Sequence, residues 1–108
     1  MYFIFHFPMI DTHAHLNFKA FEKDLSEVVE RCFENGIKAI INVGAKLDTS
    51  QRAIELAHQF DNLYAAVGLH PIHVNDEEFD IENYCRLISD KKVVAIGEIG
   101  LDLSLIHI

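Results

Sequence analysis

Ile37-Lys38-Ala39-Ile40-Ile41-Asn42-Val43 is the stretch on which the fold turns. Its centre, Ala39-Ile40-Ile41, is apolar without the in-and-out alternation of a half-exposed strand. Such a run reads as a strand covered on both faces, which is the condition of a parallel sheet. Parallel strands need long crossovers, and the flanks supply them. Upstream, Phe21, Leu25, Val28, Val29, Cys32 and Phe33 form one stripe of a helix from roughly Phe21 to Asn35, with charged residues on its other face. Gly36 stands where a helix ends in the left-handed conformation. Downstream, Asp48, Thr49 or Ser50 can cap a helix that runs to about Phe60. Ala53, Leu56, Ala57 and Phe60 form its buried stripe, and His58 lies off it, expected exposed.

The same unit recurs on both sides. Leu63 to Leu69 reads as a third strand, ending in Gly68-Leu69-His70-Pro71. An acidic linker (Asp76, Glu77, Glu78, Asp80) leads to a third helix, about Ile81 to Ser89, with Ile81, Tyr84, Cys85 and Ile88 as its stripe. Val93 to Ile96 is a fourth buried strand, and Met9 opens the first. Strands therefore begin near residues 9, 37, 63 and 93, with a repeat of about 28 residues. The expected class is α/β, a (β/α) TIM-barrel type limited to about four strands and three helices. Eight units would need on the order of 220 residues, and this chain has 108. Half a barrel would leave the outer edges of strands one and four unpaired, open to association.

Composition narrows the function. Half of the chain is hydrophobic and 24% is charged, the balance of a globular domain. Seventeen acidic against nine basic residues give a net charge of −8, which speaks against binding nucleic acid through a broad basic surface. It does not exclude a phosphate-handling enzyme, because divalent cations can supply the positive charge. Cys32 and Cys85 sit far apart among apolar helix residues and read as small buried hydrophobes of a reducing compartment. No apolar run approaches the ~20 residues of a membrane span. No signal-peptide pattern opens the chain, so the cytoplasm is the expected location. Neither a membrane nor a protein partner is implied.

The chemistry gathers at strand ends. In Met9-Ile10-Asp11-Thr12-His13-Ala14-His15-Leu16-Asn17, Asp11, His13 and His15 share one face if the run is extended. Two imidazoles one pleat apart can reach one metal ion. His70 ends strand three and Glu98 ends strand four, and working residues of βα barrels sit at these ends. Glu98 is costly to bury unless paired or bound to a metal, and no lysine or arginine falls on a neighbouring strand end. His70 can equally serve as a capping residue before the Pro71 turn.

Three motifs together resemble one family. Ile10-Asp11-Thr12-His13-Ala14-His15-Leu16-Asn17, Gly68-Leu69-His70-Pro71 and Ala95-Ile96-Gly97-Glu98-Ile99-Gly100-Leu101-Asp102 are similar to the N-terminal half of TatD-family metal-dependent hydrolases, in that family's order and spacing. The resemblance covers Met9 to Asp102. It implies a TIM-type barrel with two divalent metal ions (Zn, Mn, Ni or Mg) and cleavage of phosphodiester bonds in DNA by a metal-activated water. Matched position by position, His13 and His15 are ligands of one metal, and Glu98 is the carboxylate that bridges two. His70 lies near the substrate phosphate, and Asp11 has the lesser role of orienting a ligating histidine. The family's remaining ligands come from later strands, so this chain alone is expected to be inactive.

Other readings stay open. Hydrolysis of D-aminoacyl-tRNA is possible on the same scaffold, and no residue here separates it from DNA cleavage. The wider amidohydrolase group also opens with His-x-His, but many of its members carry a lysine where Glu98 stands. A non-catalytic module is the third reading, against which intact His13, His15 and Glu98 argue. Residues 1–8 read as an upstream extension, with Met9 an alternative start, and residues 9–102 as the hydrolase half-barrel. Leu103-Ser104-Leu105-Ile106-His107-Ile108 departs from the family pattern and coincides with a reading frame of a sequencing-library adapter. It is expected to be a non-native tail, and His107 is not counted as a ligand.

Overall fold

Four strands form one parallel sheet in the order β1-β2-β3-β4, so each strand pairs with its neighbour in the chain. The computed structural model describes residues 7–105. Most of the upstream extension (1–6) and the end of the expected tail (106–108) lie outside the described residues. The strands are β1 (Met9–Ala14), β2 (Ile37–Val43), β3 (Leu63–Val67) and β4 (Val93–Ile96). The crossover helices are α1 (Leu25–Glu34), α2 (Leu47–Gln59) and α3 (Ile81–Ile88). Short 3₁₀ turns occupy Lys19–Phe21, Pro71–His73 and Leu103–Leu105. This is the βα order of a half barrel, as the spacing of apolar runs implies. No helix among the described residues is long and apolar enough to cross a membrane.

The core lies between the sheet and the first two helices. Leu25 and Val29 of α1, Leu56 and Ala57 of α2, Ile40 of β2 and Leu63 of β3 form one cluster with Leu16. Phe21, Val28, Cys32, Phe33 and Phe60 pack against its rim. The stripes read from periodicity in α1 and α2 are thus the buried ones. Fully burying a leucine contributes about 1.5–3 kcal/mol, so Leu56 and Leu63, both at 0% exposure, are principal supports.

Three element readings need correction. α1 begins at Leu25, because Phe21 belongs to the separate 3₁₀ turn. α2 begins at Leu47, ahead of the expected caps. Thr49 still performs the capping chemistry from the third helical position: its Oγ1 accepts from the main-chain N–H of Ala45 (2.9 Å) and Lys46 (3.1 Å). β3 ends at Val67, not Leu69. The stripe expected on α3 is mostly exposed: only Tyr84 is buried, whereas Ile81 is 60% and Ile88 40% exposed. Cys85 is exposed too, and Cys32 is half-buried, so the two cysteines differ from the buried pair expected. No described element lies over the outer side of α3 to cover these residues. The sheet edges are similar: β4, expected buried, is largely exposed, because no further strand or helix among the described residues covers it. Met9 and Ile10 on β1 and Val94 and Ile96 on β4 are all more than half exposed.

Two side-chain contacts fasten the layers. Glu77, from the acidic linker, receives the Leu47 N–H on both carboxylate oxygens at 3.1 Å and the Tyr84 hydroxyl at 2.8 Å. A carboxylate at a helix N-terminus is favoured by the helix dipole. Burial, and then the hydrogen bond to Glu77, push the Tyr84 phenol well above its ordinary range. At the opposite end of the sheet, His58 is exposed as expected and its Nε2 lies 2.8 Å from the Asp90 carboxylate.

Glu77→Ala removes the partner of Leu47 N–H and leaves the Tyr84 hydroxyl poorly satisfied. Stability should fall by about 1–2 kcal/mol in urea unfolding, with Glu77→Gln losing less. The Asp90 carboxyl is held below its ordinary value, first by the His58 hydrogen bond and then by the Lys92 main-chain N–H. A depressed acid contributes stability that is present above its unfolded value, near pH 4, and lost as pH falls through the folded value. Asp90→Asn should therefore flatten the acid limb of a stability-versus-pH curve below about pH 4. At neutral pH it should cost no more than about 1 kcal/mol, because the pair is partly exposed.

Candidate metal centre

The C-terminal ends of the strands form the mouth of the half barrel. β1 ends at Ala14, so His13 is in the strand and His15 one residue past it. Pairing of β1 with β2 shifts register between Asp11 and Ala14, which breaks strict alternation here. The two imidazoles nevertheless converge, with ring centroids 5.0 Å apart and planes near perpendicular.

Glu98 arrives by a different route. β3 separates β4 from β2, yet beyond Ile96 the chain crosses over the end of β3. Gly97 N–H donates to Val67 O (2.9 Å), and Glu98 N–H donates to Gly44 O (2.8 Å) at the end of β2. The Gly97–Glu98 peptide is cis. This crossing presses the backbone onto Gly68, where an added Cβ would stand 2.8 Å from Gly97 C and 2.9 Å from Glu98 O. Glycine in the Gly68-Leu69-His70-Pro71 motif thus has a steric reason.

The result is a cluster of three. His13 Nε2 lies 3.2 Å from Glu98 Oε1, and His15 Nε2 lies 3.9 Å from Oε2. One ligand atom from each residue falls within 4.8 Å of the others. His15 Nδ1 is 3.0 Å from Val43 O. A carbonyl can only accept, so Nδ1 carries a proton and a neutral His15 turns the lone pair of Nε2 towards Glu98. A lone pair facing a carboxylate is repulsive unless a proton or a cation stands between them. No lysine or arginine among the described residues pairs with Glu98; its basic neighbours are His13 and His15. Two imidazoles and a carboxylate, one ring oriented by a main-chain carbonyl, are a donor set that fits a divalent transition metal.

The other expected residues fall around this centre. Asp11 does not reach an imidazole: its carboxylate accepts from the His13 main-chain N–H at 3.0 Å and so braces the strand. His70 caps the Pro71–His73 turn, its Nδ1 accepting from Ile72 N–H at 3.0 Å. The neutral ring then carries its proton on Nε2. His70, His13 and Glu98 line one open cleft of about 520 Å³, shared with Asp102. Hydrogen bonds from the Ser104 hydroxyl and main-chain N–H hold the Asp102 carboxyl below its ordinary value.

Sequence reasoning missed two asparagines. Asn17 is buried, and its amide donates to Val43 O (3.2 Å) and Thr49 O (2.8 Å). Asn42 accepts from Leu16 N–H at 3.0 Å. Together they fix the loop that carries His15. A polar residue inside the apolar run Ala39-Ile40-Ile41-Asn42-Val43 was the available signal for Asn42. Nothing in the sequence marks a main-chain carbonyl such as that of Val43.

Comparison with known proteins gives a consistent result. The sequence model of the family described as TatD related DNase matches residues 10–107. The chain is 43% identical over 95 residues to the uncharacterized metal-dependent hydrolase YabD of Bacillus subtilis, covering 87% of this chain and 37% of that protein. It is 34% identical over 97 residues to the 3'-5' ssDNA/RNA exonuclease TatD of Shigella flexneri, covering 89% and 37%. The crystal structure of YjjV, a TatD homolog from Escherichia coli, superposes with a TM-score of 0.79 at 36% identity, over 88% of this chain and 38% of that one. The chain thus spans little more than a third of the length of these relatives.

The packing at Gly68 yields a direct test. Gly68→Ala should force the Gly97–Glu98 backbone away from the end of β3 and cost about 1–3 kcal/mol, the usual range for overpacking. Urea unfolding measures the cost. The imidazole resonances of His13 and His15 should shift in the same variant, because Glu98 moves with the backbone.

Proposed function

Because the chain belongs to the TatD family of metal-dependent hydrolases, we propose that His13, His15 and Glu98 hold a divalent metal at which a phosphodiester of single-stranded nucleic acid is cleaved. The observation that carries this reading is the convergence of the two imidazoles and the Glu98 carboxylate, with one ligand atom from each within 4.8 Å of the others and His15 Nδ1 held by Val43 O. The printed activity of the Shigella flexneri relative supports the choice of nucleic acid as substrate. When bound, a divalent ion lowers the pKa of water and offsets phosphate charge.

The side chains divide the remaining work. Val43 O holds the His15 ring in the ligating tautomer, and Asp11 fixes the main chain of His13. His70 offers its Nε2–H to a non-bridging phosphate oxygen in the cleft, with Nδ1 committed to Ile72. A neutral donor of this kind positions the phosphate without taking up its charge. Three ligands suffice for one ion. A second ion would need ligands beyond those of the described residues. The chain alone is therefore proposed to bind one metal and to turn over little substrate. Zn²⁺ and Mn²⁺ suit the two nitrogens and one carboxylate better than Mg²⁺.

Isothermal titration of the chain with Mn²⁺ or Zn²⁺ should give one site. His13→Ala and Glu98→Gln should each weaken it by at least about 10-fold, with Asn17→Ser weakening it less through the loop of His15. Equal affinity in the wild-type chain, His13→Ala and Glu98→Gln would sink the assignment.

A further inference from the structure

A second cleft lies beside the metal centre, separated from it by one aromatic ring. Phe18 stacks on His15 with centroids 4.4 Å apart and planes 19° from parallel. The same residue lines a groove of about 470 Å³ between the Lys19–Phe21 turn and the start of α2. Lys19, Lys46 and Arg52 border this groove, against two carboxylates, Glu22 and Asp48. With Glu55, which pairs with Arg52, the charges at the groove balance, so this surface is less acidic than a chain of net charge −8 as a whole.

The cations are available. Lys19 has no ion pair or side-chain hydrogen bond among the described residues. Lys46 meets Asp48 at a loose 3.8 Å, and Arg52 meets Glu55 at 2.9 Å, both as pairs that water reaches. Such pairs are weakly held and exchange readily for a stronger anion. The walls, by contrast, are firm. Asn17 ties the Phe18 side of the groove to Val43 and Thr49, and Thr49 ties the main chain of Ala45 and Lys46.

We propose that this groove seats a second backbone phosphate of the single strand whose scissile phosphate lies at the metal centre. The inference rests on the proposed function and adds where the rest of the substrate goes. A polyanion approaching an acidic protein is repelled unless local cations meet it. Lys19, Lys46 and Arg52 are those cations, lining a groove that shares Phe18 with the side of His15. The face of Phe18 turned from His15 offers a sequence-tolerant surface for a base between the two phosphates. Only a substrate longer than one nucleotide uses the groove.

The test compares a labelled oligo(dT) of about eight nucleotides with labelled thymidine monophosphate, both by fluorescence anisotropy on the Mn²⁺-loaded chain. Lys19→Glu with Arg52→Glu should weaken oligonucleotide binding by about 10-fold or more and reduce its salt slope by about 1–2. Mononucleotide and Mn²⁺ affinities should stay within about twofold, because neither ligand reaches the groove. The single variant Lys19→Glu, at an exposed position, should show the same pattern in smaller measure. An oligo(U) arm reports whether the groove also takes RNA. Unchanged oligonucleotide affinity, or an equal loss for the mononucleotide, would overturn the groove. A chain that binds Mn²⁺ but no oligonucleotide also overturns it and leaves the metal centre standing. Groove-dependent oligonucleotide binding without Mn²⁺ uptake would instead overturn the metal centre.

Discussion

One main-chain hydrogen bond decides whether this chain has a site at all. Glu98 N–H donates to Gly44 O at 2.8 Å, and so joins the end of the fourth strand to the end of the second. In a flat parallel sheet, β1 and β4 would stand about 14 Å from each other, three times the usual interstrand spacing. A carboxylate on β4 could not then meet imidazoles on β1. The twist and curl of the sheet bring the strand ends inward, and the crossing at Gly97 completes the approach. The bare Cα of Gly68 is the condition for that crossing. Fold and candidate chemistry meet at this point, because the bond that closes the mouth also brings Glu98 beside the two imidazoles.

The fold was legible because its signal is repeated. Apolar runs without alternation at Ile37, Leu63 and Val93, each following a helical stripe, admit few topologies once right-handed crossovers are required. The boundaries were less legible. Phe21 fits the α1 stripe by spacing, yet it sits in a separate 3₁₀ turn and still packs on the same core. Periodicity reports the face a residue presents and says little about where the hydrogen-bonded helix begins. The α3 stripe shows the other limit. Ile81, Cys85 and Ile88 have core spacing, but spacing cannot say whether an element exists to cover them.

The site was legible where side chains do the work and hidden where the main chain does. His13, His15, Glu98 and His70 announce themselves as polar residues at apolar strand ends. The Val43 carbonyl, which sets the tautomer of His15, is a backbone atom that any residue would provide. Glu77 looked like one charge in a solvated acidic run, yet it closes the start of α2 against Tyr84. Its neighbours Asp76 and Glu78 are exposed, and composition does not distinguish them from it.

The acidic balance of the chain is compatible with a phosphate substrate for an electrostatic reason. Net charge governs the field at long range, but at physiological salt that field decays within about 8 Å. Contacts inside the mouth are shorter than this. Around the cluster Glu98 shares its cleft with Asp102, and Asp11 braces His13, so a bound divalent ion would bring positive charge that offsets most of the local negative charge. The lysines and arginine of the neighbouring groove add charge of the same sign on the other side of Phe18. In the proposed reading, an anionic strand would find its cations along one short track. Acidity of the whole would then weaken unspecific association with nucleic acid and leave the proposed approach as the favoured one. A basic protein of the same fold would bind such strands more tightly and in more ways, with no gain at the reacting phosphate.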